Sequence, residues 1–268
     1  MELLTILLAG LLSLLAPVGV IVERIAENTI RSQFKQVGQL CVRIDNVPSH
    51  QLLQGKVERV RIAGRSLQLR QPDVHITALE VETDAIDVAT KQIELEQPLQ
   101  AGVRVVLTQQ DANQALSQFI KSKVFDISIG TFGRRSEPVQ RLNLANPKIE
   151  FLGNNRVRFQ VELAQGEAAP LAITVESGLG VKAGRQIQFI APVVFVEGEK
   201  VPEQILSAIA EDFAQQLDLI YWERYGVQAR ILQLEMTRQK LEIATFVRVE
   251  PSFKLPKTLT TFSSSLKV

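Results

Sequence analysis

Alternation of apolar and polar positions recurs along the second half of the chain. Apolar residues or threonine occupy every second position within residues 157–163, 171–175 and 241–249, the spacing of a strand that has one face in a core and one in solvent. Residues 153–155 and 183–185 combine glycine with polar residues, which predicts tight turns between neighbouring strands. These segments therefore predict antiparallel hairpins.

Other segments have the same strand-like composition, namely residues 40–44, 57–62, 67–69, 74–81, 103–107 and 227–236. In total the chain predicts roughly ten strands. Within residues 74–81 and 229–234 the apolar positions change face midway, as they do in a strand that contains a β-bulge. Because bulges bend sheets, we expect a strongly curved sheet.

Two helices are predicted between the strands. One begins at Thr108, where a Thr-x-x-Asp pattern ending at Asp111 indicates a capping box. The other is longer, at about residues 202–225, with Pro202 in its first turn and Gly226 as its stop signal. Its apolar stripe consists of Ile205, Ile209, Phe213, Leu217 and Ile220. We expect this amphipathic helix to pack its stripe against the sheet.

The N-terminal segment is strongly apolar. Of the first 22 residues 16 are hydrophobic, and residues 3–22 carry no charge. A run of about 20 such residues can cross a bilayer as a helix, so we interpret residues 1–22 as a membrane anchor. A cleaved signal peptide and a helix buried in the domain are the alternatives. Arg24, Arg31 and Lys35 follow the run, which favours a cytoplasmic domain by the positive-inside rule.

No repeat or low-complexity block divides the remainder of the chain. We therefore expect a single domain at residues 23–252. Residues 253–268 follow the last clear strand and contain a run of serines, and they are interpreted as a C-terminal tail.

Composition and motifs exclude several classes of function. The 30 basic and 29 acidic residues give a net charge of +1, so no strong field favours nucleic acid as a partner. Cys41 is the only cysteine, which excludes disulfides within the chain and cysteine-cluster metal sites. No Gly-x-Ser-x-Gly motif is present, and His75 lies opposite Val74 and Ile76 in an alternating strand, where we expect it to face solvent. The chain is interpreted as a non-enzyme without a cofactor.

A short basic loop is the candidate for contact with a charged ligand. Arg134, Arg135 and Arg141 lie near Phe132 in a stretch that contains two glycines. Arginines beside an aromatic ring suit contact with phosphate head groups at a membrane surface. A solvated loop without such a function is the alternative interpretation, and the sequence leaves both open.

Four stretches of the chain resemble the LmeA-like family. They are VPSHQLLQGKV at residues 47–57, LEVETDAIDV at 79–88, PLQAGV at 98–103 and LTQQDANQAL at 107–116. A hairpin through Gly64 lies between the first two stretches. The family is bacterial and phospholipid-binding, and the resemblance covers approximately residues 35–250. It transfers no catalytic residue.

The resemblance implies a fold similar to that of the tubular lipid-binding proteins, in which a curved antiparallel sheet wraps a long helix and encloses a groove for acyl chains. Together with the hydrophobic pattern it predicts an α+β fold. In this fold a strongly curved antiparallel β-sheet wraps around the long amphipathic helix at about residues 202–225, and a hydrophobic helix precedes the domain.

The expected function is non-enzymatic binding or handling of phospholipid at a bacterial membrane, in the cell envelope. Acyl chains would lie between the long helix and the concave sheet face, where each buried methylene contributes roughly 0.8 kcal/mol. The lining residues would be Ile205, Ile209, Phe213, Leu217 and Ile220, and head groups would contact Arg134, Arg135 and Arg141. The alternative is a membrane-tethered scaffold with a filled core and no ligand. The sequence identifies no protein partner.

Overall fold

Antiparallel strands make up most of the structure. The computed structural model describes residues 23–45, 56–70, 73–89, 94–121, 143–164, 170–200 and 218–253. The elements in chain order are α1 (Glu23–Ser32), β1 (Phe34–Asp45), β2 (Lys56–Val57), β3 (Arg59–Leu69), β4 (His75–Thr83), β5 (Ile86–Ala89), β6 (Glu94–Leu95), β7 (Leu99–Thr108), α2 (Gln109–Lys121), β8 (Asn143–Gly153), β9 (Arg156–Ala164), β10 (Leu171–Lys182), β11 (Gln186–Val196), β12 (Glu199–Lys200), a 3-10 helix (Leu219–Tyr225), β13 (Val227–Met236) and β14 (Lys240–Val249).

The largest sheet has six strands in the order β1-β3-β4-β7-β14-β13. Its inner face carries the main hydrophobic core, in which Ile62, Leu79 and Val249 are almost completely buried. Val57 and Ile86 belong to the same cluster and come from the small sheet β2-β5-β6. The side chains of the protein itself therefore fill the space against the inner face of this sheet.

The burial pattern of β4 changes face within residues 74–81, as predicted, but the predicted bulge is absent there, because β4 keeps an unshifted register with both β3 and β7. Ile76 and Leu79, three residues apart in β4, are both fully buried in the same core. Gly64 and Leu67 are likewise both buried in β3, and a Cβ atom at Gly64 would lie 2.6 Å from Cδ1 of Leu67. Ser66 has a φ of 51°, so the change of face in β3 occurs through a left-handed residue.

The second predicted bulge and the two predicted hairpins are confirmed. The pairing of β13 with β14 shifts between Ile231 and Gln233, which is the predicted bulge within residues 229–234. β8 pairs with β9, and β10 with β11, in antiparallel register on either side of the two predicted turns. The second sheet contains these strands in the order β12-β11-β10-β9-β8.

The first predicted helix is confirmed as α2, and its capping box forms. Asp111 Oδ2 accepts a hydrogen bond from the backbone N–H of Thr108 at 2.8 Å, and Thr108 Oγ1 accepts one from the backbone N–H of Asp111 at 3.2 Å. Two backbone N–H groups at the start of the helix are thus satisfied by side chains.

The predicted fold built around a long amphipathic helix is wrong for the structure as described. Strands dominate, the sheets are antiparallel but do not close, and no long amphipathic helix occurs among the described residues. Leu219–Tyr225, the end of the predicted helix, forms a 3-10 helix whose N-terminus is capped by Asp218 Oδ1, which accepts from Ile220 N at 2.9 Å. The predicted stop at Gly226 is confirmed, with a φ of 81°. Residues 202–217 lie outside the described residues.

The predicted membrane anchor cannot be compared with the fold, because residues 1–22 lie outside the described residues. Within the part of the chain that is described, no helix has both the length and the apolar character needed to cross a bilayer.

Candidate functional site

A trough of about 510 Å³ crosses the outer face of the six-stranded sheet. Its floor is formed by small residues, among them Ala63 and Gly102, and its rim by arginines and glutamates. These arginines already have partners. Nε of Arg43 lies 2.9 Å from Asp45, Arg61 lies 2.6 Å from the same carboxylate, and Nε of Arg104 lies 2.6 Å from Glu242. The three guanidinium groups are therefore engaged before any anionic ligand approaches.

The ion pair of Arg104 and Glu242 makes the stability depend on pH. Hydrogen bonds from Arg104 and Lys240 lower the pKa of Glu242 from 4.5 to about 2. Because the pKa is lower in the folded state, the ionised carboxylate stabilises the fold above about pH 4.5 and stops doing so as the pH falls through about 2.

We expect Glu242→Gln to flatten the acid limb of the stability profile. In the unchanged protein the free energy of unfolding should fall between about pH 4.5 and 2, and the variant should lose part of that slope together with stability at pH 7. Urea unfolding at a series of pH values measures both quantities. Glu199→Gln, on the exposed strand β12 outside this ion pair, is the control. An equal slope in the Glu242→Gln variant and the unchanged protein would contradict the prediction.

The two faces of the five-stranded sheet differ in character. One is apolar, and the other, the charged face, carries ion pairs together with Val193 and Phe195 of β11. On the charged face Arg158 bridges Glu150 and Glu176 across three strands, at 2.7 Å to each carboxylate. On the other face the register of β9, β10 and β11 brings apolar side chains side by side, as in the row Phe159, Val175 and Val194. The members of this apolar sheet face are Val157, Phe159, Val161, Ile173, Val175, Leu179, Val181, Ile187, Phe189, Val194 and Val196. Except for the buried Val161, all of them are half-buried.

One end of the apolar sheet face is covered by protein. Val157 and Leu179 pack against a small cluster of buried side chains formed by Ala112, Phe151 and Met236, which brings α2 and the β13–β14 hairpin onto the sheet. Towards the other end, the row of Phe159, Val175 and Val194 and the pair Ile173 and Val196 belong to neither hydrophobic cluster of the described residues.

Hydrogen bonds fix the position of the covered end. Asn155, in the turn between β8 and β9, donates from its side chain to Leu234 O at 3.2 Å and accepts from Met236 N at 2.6 Å. Its backbone N–H also donates to Met236 O at 3.1 Å. The turn that the sequence predicted therefore ties the five-stranded sheet to the six-stranded one.

Helix α2 closes the edge of the five-stranded sheet at β8. The side chain of Asn113 accepts from Ile149 N at 2.7 Å and donates to Ile149 O at 2.8 Å. The side chain of Gln109 accepts from Phe151 N at 2.8 Å. Two polar side chains of a helix thus take the place of a neighbouring strand along this edge.

Most of the residues predicted to bind lipid are not described by the structure. Ile205, Ile209, Phe213, Leu217, Arg134, Arg135 and Arg141 all lie outside the described residues. Ile220 lies in the 3-10 helix and is 43% exposed.

The 3-10 helix presents an aromatic and apolar surface to solvent. Leu219 and Trp222 pack against the main core, which turns Ile220 and Tyr221 outward, with Tyr221 48% exposed. The guanidinium of Arg224 stacks on the Tyr221 ring, 3.4 Å from its centroid. Apolar, aromatic and basic groups side by side are typical of protein surfaces at the membrane–water interface.

A second polar site was missed by sequence reasoning. His75, expected to face solvent, is half-buried, with Nδ1 2.6 Å from Asp111 Oδ1 and Nε2 2.9 Å from Ser66 Oγ. The three residues come from β3, β4 and α2, so no fixed spacing along the chain could have revealed them. The signal present in the sequence was the capping box, which places a carboxylate at the start of α2.

Comparison with known proteins gives one family. The family model described as LmeA-like phospholipid-binding matches residues 16–246 of the chain. No curated protein and no solved structure matches the chain.

Proposed function

Because the chain belongs to the LmeA-like phospholipid-binding family, we propose that it binds phospholipid non-covalently and holds the acyl chains against the apolar sheet face. In this proposal residues 23–252 form the binding domain, and residues 1–22 keep it at a bacterial membrane. The basic loop that contains Arg134, Arg135 and Arg141 would contact the phosphate of the head group.

The observation that carries the proposal is the half-buried end of the apolar sheet face. Phe159, Val175 and Val194 form one half-buried row across three strands. Val161, Ile173 and Val196 form the next row, in which Val161 is buried and the other two are half-buried. From residue 171 to 177, β10 extends about 20 Å, compared with about 15 Å for the hydrocarbon half of a bilayer. An acyl chain can thus lie along the sheet, and each methylene that it buries contributes roughly 0.8 kcal/mol.

The second candidate function is that of a membrane-tethered scaffold without a ligand. The filled core of the six-stranded sheet favours it, because buried side chains such as Ile62, Leu79 and Val249 already occupy that face. The two candidates differ in what covers the apolar sheet face, which is lipid in the first and protein in the second.

The test is extraction and native mass spectrometry of the purified full chain, followed by uptake of a fluorescent phospholipid from vesicles. We expect about one bound phospholipid per chain and uptake that survives high salt, because burial of acyl chains is not screened by ions. Lipid that is carried by residues 1–22 would be present in every variant of the full chain. The unchanged chain is therefore compared with Val175→Asp, which alters only the apolar sheet face. A folded chain without lipid and without uptake would favour the scaffold.

We propose further that the 3-10 helix contacts the membrane surface during uptake. Ile220→Glu should slow the transfer of the fluorescent phospholipid about tenfold, because burial of an isoleucine contributes about 1.5–3 kcal/mol and 1.4 kcal/mol corresponds to a factor of ten. The final occupancy should not change. Stopped-flow transfer from phosphatidylcholine vesicles that contain phosphatidylglycerol measures the rate.

Gln228→Glu adds the same charge at an exposed position of the adjacent strand β13 and serves as the control. If the two variants transfer lipid at the same rate, the 3-10 helix is not the contact surface.

A further inference from the structure

The site at Ser66, His75 and Asp111 has the geometry of a nucleophile, a base and an orienting carboxylate. Ser66 Oγ lies 2.9 Å from His75 Nε2, and His75 Nδ1 lies 2.6 Å from Asp111 Oδ1. The two ring nitrogens thus face different partners, with the hydroxyl on Nε2 and the carboxylate on Nδ1. This is the arrangement in which a neutral imidazole can take a proton from a serine.

The environment of Asp111 keeps its carboxylate ionised. Its side chain is only 5% exposed, and burial by itself would raise the pKa. Hydrogen bonds from Thr77 Oγ1 at 2.6 Å, from Thr108 N at 2.8 Å and from His75 outweigh burial and lower the pKa of Asp111. Since an ionised carboxylate only accepts hydrogen bonds, His75 Nδ1 carries the proton. In the tautomer that this places on His75, Nε2 carries the lone pair that accepts from Ser66 Oγ.

Ser66 is the accessible member of the group. It is exposed and lies where β3 changes face, with a φ of 51°, a conformation that non-glycine residues adopt at a cost. On the neighbouring strand β1, a Cβ atom at Gly38 would lie 2.9 Å from Ser66 Cβ. The absence of a side chain at Gly38 therefore gives the Ser66 side chain the room to reach His75.

We propose that Ser66, His75 and Asp111 hydrolyse carboxylic esters, an activity separate from phospholipid binding. Ser66 Oγ attacks the carbonyl carbon while His75 Nε2 takes the hydroxyl proton, and the C–O bond to the leaving alcohol breaks as His75 returns that proton to the alkoxide. Water then attacks the acyl-serine, and His75 takes its proton and passes it to Ser66 Oγ as the acid is released. Asp111 is a positioning residue that holds the ring and stabilises the imidazolium.

The substrate class is a carboxylic ester that reaches the open outer face of β3. Such an ester can be the acyl ester of a phospholipid or a small soluble ester. Release of fatty acid from phosphatidylglycerol vesicles tests the phospholipid, and hydrolysis of p-nitrophenyl acetate tests the small soluble ester. Turnover of either ester that depends on Ser66 supports the proposal and identifies the source.

The decisive experiment is reaction of the full chain with a fluorophosphonate, which phosphonylates an activated serine with loss of fluoride. We expect one adduct per chain, located on Ser66 by peptide mass spectrometry. The adduct should be absent in Ser66→Ala and also in Ser66→Gly, which accepts a positive φ without strain. Ser252→Ala, at an exposed serine, should react as the unchanged protein does.

The base and the positioning residue are tested separately. His75→Gln should lower the rates of phosphonylation and of p-nitrophenyl acetate hydrolysis about 10²–10⁴-fold. Asp111→Asn should lower both rates and also remove the downfield proton NMR signal of the His75 Nδ1–H, which Ser66→Gly should retain.

An adduct on another residue, an unchanged rate in His75→Gln, or no adduct on a chain that melts normally would overturn the proposal. The three residues would then only fasten α2 to the sheet. Because phospholipid occupancy is measured on the same preparations, failure of the esterase proposal is distinguishable from failure of lipid binding.

Discussion

Replacing Val175 with aspartate is expected to abolish phospholipid occupancy while the protein remains folded. Val175 lies in the middle of the apolar sheet face, between Phe159 on β9 and Val194 on β11. An acyl chain that covers this row would have to desolvate a carboxylate for which the row offers no partner, and the burial of an unpaired charge is strongly unfavourable. We expect occupancy to fall at least tenfold, equivalent to about 1.4 kcal/mol.

The protein should tolerate this change because Val175 is only half-buried and belongs to neither hydrophobic cluster of the described residues. Without lipid the new carboxylate can meet water. Native mass spectrometry gives the occupancy, and thermal unfolding monitored by circular dichroism shows whether the chain is folded.

The control is Thr174→Asp, one position along β10 on the charged face, between Gln160 of β9 and Phe195 of β11. It introduces the same side chain in the same strand, but away from the proposed acyl chain. Equal occupancy in the two variants would place the lipid elsewhere in the protein.

Leu79→Ala is expected to have the opposite effect, with a large loss of stability and unchanged lipid binding. Leu79 is 0% exposed and lies in the main core of the six-stranded sheet. Truncation of a buried leucine removes its transfer free energy and leaves a cavity, which together lower the free energy of unfolding by about 2–5 kcal/mol. Urea unfolding measures the change.

Val175→Ala is the matched truncation on the apolar sheet face, and it should cost much less stability because that position is only half-buried. At a temperature where Leu79→Ala is fully folded, its phospholipid occupancy should equal that of the unchanged chain. If Leu79→Ala lost phospholipid occupancy as strongly as Val175→Asp, lipid would have to enter the core of the six-stranded sheet. The two sheets would then not have separate roles.

The sequence predicted local structure well where turn, stop or capping residues accompany the hydrophobic pattern. The turn at residues 153–155, the stop at Gly226 and the capping box of Thr108 and Asp111 each depend on a few neighbouring residues, and all three are present. The fold class was wrong because periodicity does not determine the type or the length of a helix. Among the described residues, the C-terminal part of the predicted stripe is a separate 3-10 helix that Asp218 caps.

The candidate sites were less predictable, for two physical reasons. Alternation at Phe159 and Val175 indicates one apolar face, but the same pattern serves a face covered by protein and a face covered by lipid. The site at Ser66, His75 and Asp111 depends on how three separate elements meet, which strand register and helix packing determine. Neither property is encoded in the spacing of residues along the chain.

The hydrogen bonds of Gln109 and Asn113 to β8 have a consequence for how copies of the protein behave at high concentration. A sheet with a half-covered apolar face would be prone to fibril growth if its border also offered unpaired backbone groups to another molecule. At Ile149 and Phe151 those groups are already occupied by side chains of the same chain. The apolar sheet face can therefore remain available to lipid, while the edge at β8 offers no free backbone groups at these two residues to a strand of another molecule. Binding of lipid by the face is in this way uncoupled from fibril growth at that edge.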